Sequence, residues 1–447
     1  MQKRVISGIL ALALVLTLTL TLAQADVRVE VDGIDGGSAS VTVPEDDSAA
    51  LLEGYLYQVN GLDVPEVVKA EGSGNTASRP ATYMASMNPT LRAVYDQLVP
   101  EIQKIAAGQG SSSAFSLGIQ MTFTKEELGI KGDMLVRGDD GQYHFSEETG
   151  AAIEKAVDEV MDMDMLLNQL LAHHPYELYW FDKSFSEGAI RVKYSYGTDG
   201  QQTVMVGDFV IMMAVSQDYA VTDAATQQYY LYSPDTAKTG AATKAAEVVA
   251  KNQGKGTYGK LVAYREYITK AVDYNFDVAN TANYPYGDPW QLIYVFDGDP
   301  DTNVVCEGYS KAFKYLCDLT WTGSDPEVKC YLAVGKMDGG DHMWNIVSIG
   351  GANYLTDITN CDSYADGTAA IGYPDQLFLC GAAGGVDEGY TVDILGQRKV
   401  LYTYDDKGTK SIYDDRELVL SETKYSPLAF SLNQLTALAR YAAGITT

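Results

Sequence analysis

The chain opens on a largely apolar run, Val5 to Leu22, between the charges of Lys3 and Arg4 and the small-residue stretch Ala23-Gln24-Ala25. A charged start, an apolar centre and an Ala-x-Ala end predict a secretory signal peptide over residues 1–25, cut after Ala25. The polar, acidic DVRVEVDGIDGG follows at once and argues against a retained membrane anchor. No cysteine lies near the cut, which excludes lipid attachment there. No later stretch reaches about 18 consecutive apolar residues, the length of a spanning helix. The expectation is a secreted, extracellular protein.

Beyond the run the pattern becomes periodic. Residues 26–45 alternate, DVRVEVDG and then SASVTVP, and predict strands. EGSGNTASRP at 71–80 reads as a flexible loop. From Asn88, residues Leu91, Val94, Tyr95, Leu98 and Ile102 fall on one helical face, and the segment ends in glycine. GQGSSS reads as a linker. A second helix is expected from about Ser146 through MDMLLNQLLAHH to Pro175. ELYWFDKSF, AIRVKYSYG and QQTVMVGDFVIMMAVS then read as strands. Residues 26–235 are therefore expected to form an α+β region, whose role the pattern does not give.

From about residue 236 the period lengthens. TKAAEVVAK and KLVAYREYITKAVDYN predict helices, and the Pro/Gly-rich NYPYGDPW leads through QLIYVFDGDPDT to a further helix at Cys306. VKCYLAVGKM, HMWNIVSI and NYLTDIT follow as strands. RKVLYTYDD and RELVLS read as a hairpin, and Leu432–Ala443 as a terminal helix. The predicted division is a domain over 236–390 and an extension over 391–447.

Composition narrows the partners. Cleavage would remove Lys3 and Arg4 from 32 basic residues and none of the 60 acidic ones, leaving a net charge of −30. That disfavours nucleic acid and anionic membrane, while leaving room for cationic substrates. The acidic residues are scattered, as on a solvated surface. An apolar fraction of 46% excludes a disordered chain. The 32 tyrosines suit packed strands, and sugar-binding platforms less often.

All five cysteines lie between 306 and 380, an odd number for an exported chain. Cys306 and Cys317 share one predicted helix about 16 Å apart along its axis. A disulfide needs Cα atoms within about 7 Å, so these two cannot pair. The others are free to form bridges or none.

Cys306 falls in the first turn of its helix, with Asn303 as the expected cap and Tyr309, Phe313 and Leu316 on the buried face. Unpaired N–H groups and the helix dipole favour a thiolate there. Gly308, costly inside a helix, removes a side chain beside the thiol and lets a backbone or a substrate approach. A thiol nucleophile needs a base. Of the histidines, His144, His173, His174 and His342, only His342 lies downstream of Cys306. His173 and His174 are expected at a helix C-terminus, where adjacent side chains point apart and suit a metal poorly. Taking Gly350-Gly351 as a two-residue turn sets the register of the next hairpin. Ile349 then faces Ala352, and Asp357 becomes the diagonal neighbour of His342 on one face. The same register lays Trp344 over Asp357.

VVCEGYSKAFKYL, HMWNIV and YLTDIT together resemble the bacterial transglutaminase-like superfamily. Its pattern is a Cys in VCxGY opening a helix, a His in HxWN, and an Asp in DxT about 15 residues later. The three blocks span only residues 306–359, and Val304 stands where a glycine is usual. LLAHHPYELYWF resembles the Pro-aromatic-Trp segment upstream in secreted members. The resemblance implies an α+β, papain-like core: a helix carrying the Cys packed on an antiparallel sheet carrying His and Asp. It implies Cys306 as nucleophile, His342 as base and acid, and Asp357 as the group that orients the imidazole. An oxyanion hole would use the Cys306 N–H and one upstream donor, for which Gln291 and Trp290 are candidates. Calcium dependence belongs to the animal enzymes and is not carried over. Asp297, Asp299 and Asp301 alternate in DGDPDT but lack the glycine and final glutamate of a calcium loop. No metal or cofactor is expected.

The reading is a secreted cysteine acyl-transfer enzyme acting on peptide or amide bonds through a thioester, by hydrolysis or by transfer to an amine. Its substrate would be a protein or peptide, with cell-wall peptide among the candidates. ARYAAGITT shows no cell-wall sorting signal. The rival is a non-catalytic surface scaffold with the same fold.

Overall fold

The computed structural model describes residues 87–110, 112–139, 141, 143–196, 201–220, 236–322, 326–362, 375–385, 388–404 and 418–426, with the backbones of four strands ahead of residue 87. Helix takes 37% and strand 31% of the chain, so neither dominates and the class is α+β. The four leading strands are β1 (Val15–Leu20), β2 (Val27–Asp32), β3 (Ala50–Leu56) and β4 (Val68–Lys69). β2 falls on the first expected strand. The second, SASVTVP, the loop at 71–80 and the terminal helix from Leu432 lie outside the described residues.

Helix α1 (Pro89–Ala106) starts where Asn88 caps it, its Oδ1 accepting from Leu91 N at 2.9 Å. Leu91, Val94, Tyr95, Leu98 and Ile102 are all buried. They pack α1 on β5 (Ala114–Thr124), which shares a five-stranded sheet, in the order β3-β8-β9-β5-β4, with β8 (Phe181–Tyr196) and β9 (Gln202–Val215). The short β6 (Leu135–Arg137) pairs with β7 (Tyr143–Phe145), which pairs in turn with β1.

Two expectations need correction here. The helix from Ser146 to Pro175 is two helices, α2 (Glu147–Val160) and α3 (Met163–His173). Asp162 takes the Met165 N–H on its own Oδ1 at 2.9 Å, so it caps a new helix rather than continuing the old one. The two strands read in 177–197 are one strand, β8, entered from turns at 175–180 and bulged against β9 where the register shifts.

The second half folds around α8 (Cys306–Thr320), a helix buried on nearly every side. Helices α4 (Thr236–Asn252), α5 (Thr257–Ala271), α6 (Phe276–Asn280) and α7 (Ile293–Phe296) precede it, and α4, α5 and α7 pack against it. On its other side lie β10 (Val328–Met337) and β11 (Gly340–Ile349). They belong to a six-stranded antiparallel sheet in the order β12-β11-β10-β15-β14-β13, completed by β12 (Ala352–Thr356), β13 (Ala383–Gly385), β14 (Gly389–Ile394) and β15 (Arg398–Tyr404).

Both hairpins around β11 close in two residues, at Asp338-Gly339 and Gly350-Gly351, with positive φ at all four. Such turns match the twist of the strands they join. The expected pairing of Ile349 with Ala352 is the observed one. DGGDH holds the first of these turns in Asp338-Gly339, and its last three residues open β11. The C-terminal hairpin differs from expectation: β15 pairs with β14, through a turn in which Leu395 and Gly396 have positive φ, and its other edge pairs with β10. RELVLS contributes one bridge, Leu420 to Asn353. β15 thus stands beside the His-bearing hairpin in one sheet.

Candidate active site

Cys306 is the first residue of α8, and helix geometry leaves its N–H without an intrahelical acceptor. The cap is Val305, not Asn303, whose Oδ1 accepts from Asp273 N at 2.8 Å. The chain enters the helix pinned on two sides. Val304 exchanges backbone bonds with Asp273 and Asn275, and Val305 N donates to Pro289 O at 2.9 Å. Gly308 is needed for backbone approach: a Cβ there would lie 2.6 Å from Val304 Cβ and 3.0 Å from Gln291 O. Asn345, the residue after Trp344 in β11, ties helix to sheet by donating to Ser310 O at 3.0 Å and Tyr331 O at 3.1 Å.

His342 lies on β11 facing the helix start. Its Nε2 meets Asp357 Oδ2 at 2.8 Å, and the Cys306 thiol lies near enough to act on the ring. Burial works against the imidazolium, but Asp357 and Cys306 outweigh it and raise the ring to about 10. Asp357 is fully buried. It accepts three further bonds: Tyr402 O–H to Oδ2 at 2.7 Å, Asn360 Nδ2 to Oδ2 at 2.7 Å, and Asn360 N to Oδ1 at 3.1 Å. Burial alone would raise this carboxyl; His342, Tyr402 and Asn360 together hold it below its ordinary value. The Trp344 ring stacks on His342, with centroids 6.1 Å apart and planes 15° from parallel, and packs against Tyr402 and Tyr404. It therefore covers the imidazole, where the sequence register had laid it over the carboxylate.

One residue beyond the thiol sits a second buried polar group. Glu307 accepts from Lys183 on β8 at 2.5 Å and from Tyr286 O–H at 2.7 Å, and pairs with Lys311 at 2.8 Å. Against the cost of burial, the two lysines hold its carboxyl down to about 2. Burial, joined by Lys183, outweighs Glu307 at Lys311 and brings that ammonium down to about 8. Gln291 belongs to this cluster: its Oε1 accepts from Lys311 at 2.8 Å and its Nε2 donates to Tyr286 Oη at 3.2 Å. Trp290, half-buried, packs against Tyr284 and Tyr286.

The upstream region braces the same loop. Tyr219 O–H donates to Asp288, Asp288 N donates to Asp218 Oδ2 at 2.9 Å, and Tyr176 stacks on Tyr315 of α8. Tyr274 adjoins the site, its phenol pushed up by burial first and then by Cys306 and Asp357.

Cys306, His342 and Asp357 thus come together, His342 and Asp357 by a hydrogen bond, with Trp344 over the ring, while Gln291 bonds Lys311 and Tyr286 and Trp290 packs on Tyr284 and Tyr286. Tyr402, Asn360, Tyr286 and Lys183 were not singled out in the sequence. Asn360 had a local signal, three residues past Asp357; Lys183, 124 residues from Glu307, had none. His173 Nδ1 and His174 Nε2 both bond Tyr95 Oη in the upstream core. Asp297 and Asp299 turn their carboxylates onto backbone N–H groups of their own loop. All five cysteines are free thiols. Among the described residues no helix is long and apolar enough to cross a membrane. No protein-family model matches the chain, and no curated protein matches it.

Proposed function

We propose that this protein is a cysteine acyl-transfer enzyme acting on peptide or amide bonds, with a papain-like core of the transglutaminase-like kind. One observation carries the reading: a buried imidazole held between a half-buried thiol on a helix N-terminus and a carboxylate that accepts four hydrogen bonds. Structural cysteines need no such arrangement. Nδ1 of His342 takes the thiol proton, and the Cys306 sulfur attacks the carbonyl carbon. The tetrahedral oxyanion is met by the Cys306 N–H at the helix start; the Gln291 amide is engaged with Tyr286 and Lys311 instead. Collapse expels the amine, which takes the proton from His342 and leaves a thioester. Water or a second amine, deprotonated by the same ring, then attacks that thioester and frees the thiol. Asp357 fixes the tautomer and orientation of the ring throughout.

The apolar run and Ala-x-Ala end support export, with the chemistry outside the cell after cleavage at Ala25. A protein or peptide, cell-wall peptide included, is then the accessible substrate.

The test is the rate of Cys306 alkylation by iodoacetamide from pH 5 to 9, located by mass spectrometry, in the wild type and in His342→Ala. Cys306 is expected to react well below pH 8, ahead of the other four cysteines, and to lose that lead in the variant. Amide substrates with and without added amines then separate hydrolysis from transfer. A thiol as inert as the buried cysteines would overturn the enzyme and leave the scaffold reading.

A further inference from the structure

The acidic character of the chain reverses in one place. Residues 236–271, the α4–α5 helical pair, hold seven basic and two acidic residues in a protein of net charge −28. Between these helices lies a cleft of about 460 Å3, within the size range of small-molecule sites. Lys244, Lys251, Lys255 and Lys270 line it, with Glu247, Glu266 and the Tyr267 ring.

The two carboxylates are already matched: Glu247 pairs with Lys244 at 3.4 Å, and Glu266 with Arg265 at 3.9 Å. Arg265 also pairs with Asp375, and Lys260, outside the cleft, lies over the Trp321 ring. Lys251, Lys255 and Lys270 form no ion pair among the described residues, and all three are exposed. Three unmatched ammonium groups therefore converge on one concave site of an otherwise anionic surface. A concave wall of low dielectric concentrates their field on the cleft. Ammonium groups act as point charges that suit phosphoryl oxygens without demanding planar geometry.

We propose that the α4–α5 cleft binds a compact soluble ligand carrying two or more phosphoryl groups, held by Lys251, Lys255 and Lys270. Nothing in this site depends on Cys306, so it stands or falls apart from the acyl-transfer reading.

Calorimetric titration of the whole protein with tripolyphosphate, at low ionic strength and at about 0.15 M salt, tests it. One ligand per chain is expected. Lys251→Gln/Lys255→Gln/Lys270→Gln should weaken binding at least about tenfold. Lys131→Gln/Lys155→Gln/Lys399→Gln, an equal loss of charge at exposed positions elsewhere, should leave it unchanged. The cleft lysines are exposed, so the triple variant is expected to fold; Lys255→Gln alone, in the turn after α4, gives a smaller loss of the same sign. Absence of binding would overturn the proposal. So would equal weakening in both triple variants, or affinity for phosphatidylglycerol vesicles without affinity for tripolyphosphate.

Discussion

Asp357 and Glu307 are both buried carboxylates beside Cys306, one across the His342 ring and one as the next residue of the helix, yet they are held in opposite ways. Asp357 has one partner able to carry charge, His342; its other donors, Tyr402 and Asn360, are neutral. Its charge is therefore answered by a proton that can move. Glu307 has two lysines and a phenol, a closed cluster in which the cations are fixed to their own side chains. Equal burial thus serves two ends. One carboxylate shifts the titration of an imidazole, and the other locks the start of a helix to the loop and strand around it.

The largest effect should come from breaking the lock. Glu307→Gln leaves Lys311 buried without its counter-charge, and is expected to cost about 3–5 kcal/mol in urea unfolding. Cys306 alkylation in the folded variant should fall no more than about tenfold. His342→Ala should do the reverse, lowering alkylation at neutral pH by about 10²-fold or more. A Glu307 variant with a thiol as slow as that of His342→Ala would erase the distinction.

Stability against pH sharpens the contrast, because the two sites fail at opposite ends. His342 stands at about 10 in the fold against an ordinary 6.5. Its contribution is complete below about 6.5 and is lost as pH rises through about 10. Glu307 stands at about 2 against 4.5, so its contribution is complete above about 4.5 and is lost as pH falls toward 2. Asp357, also lowered, shares the acid limb. Thermal melts should therefore show a flattened alkaline limb in His342→Ala and a flattened acid limb in Glu307→Gln.

Smaller changes probe single contacts. Tyr402→Phe removes one of four donors from a buried carboxylate and should cost about 1–3 kcal/mol. Alkylation should slow less than in His342→Ala, since the imidazole bond survives. Gly308→Ala gains about 1 kcal/mol of helix propensity but places a methyl against Val304 and the Gln291 carbonyl. A net loss of about 1 kcal/mol in a chemical melt is expected.

What the chain discloses by itself follows the range of the contacts. The hairpin register is local, so Asp357 could be placed beside His342 by counting outward from Gly350-Gly351. The buried face of α8 follows from a 3.6-residue period in the same way. Tyr402 lies 45 residues past Asp357 and reaches it only because β15 docks on β10, a pairing no periodicity specifies. RKVLYTYDD reads as a strand, but its partner does not, and RELVLS was as apolar a candidate as the true neighbour, β14. The split between α2 and α3 turned on a cap, Asp162, inside a segment whose apolar residues continue on both sides. Gln291 stands before Cys306 in sequence, yet its side chain faces Lys311 and Tyr286, groups brought there by tertiary packing.

The pinned entry strand at Val304–Val305 has a consequence for the order of assembly. Its backbone partners come from Asp273 to Asn275 and from Pro289, while Glu307 waits for β8 and Asp357 for β15. Loop closure must be offset before contacts so distant in sequence form, so they come late. A chain in which β8 and β15 have not yet docked therefore lacks both the Lys183 contact to Glu307 and the Tyr402 contact to Asp357. A reagent that tells Cys306 from the other four thiols would report the last stage of folding.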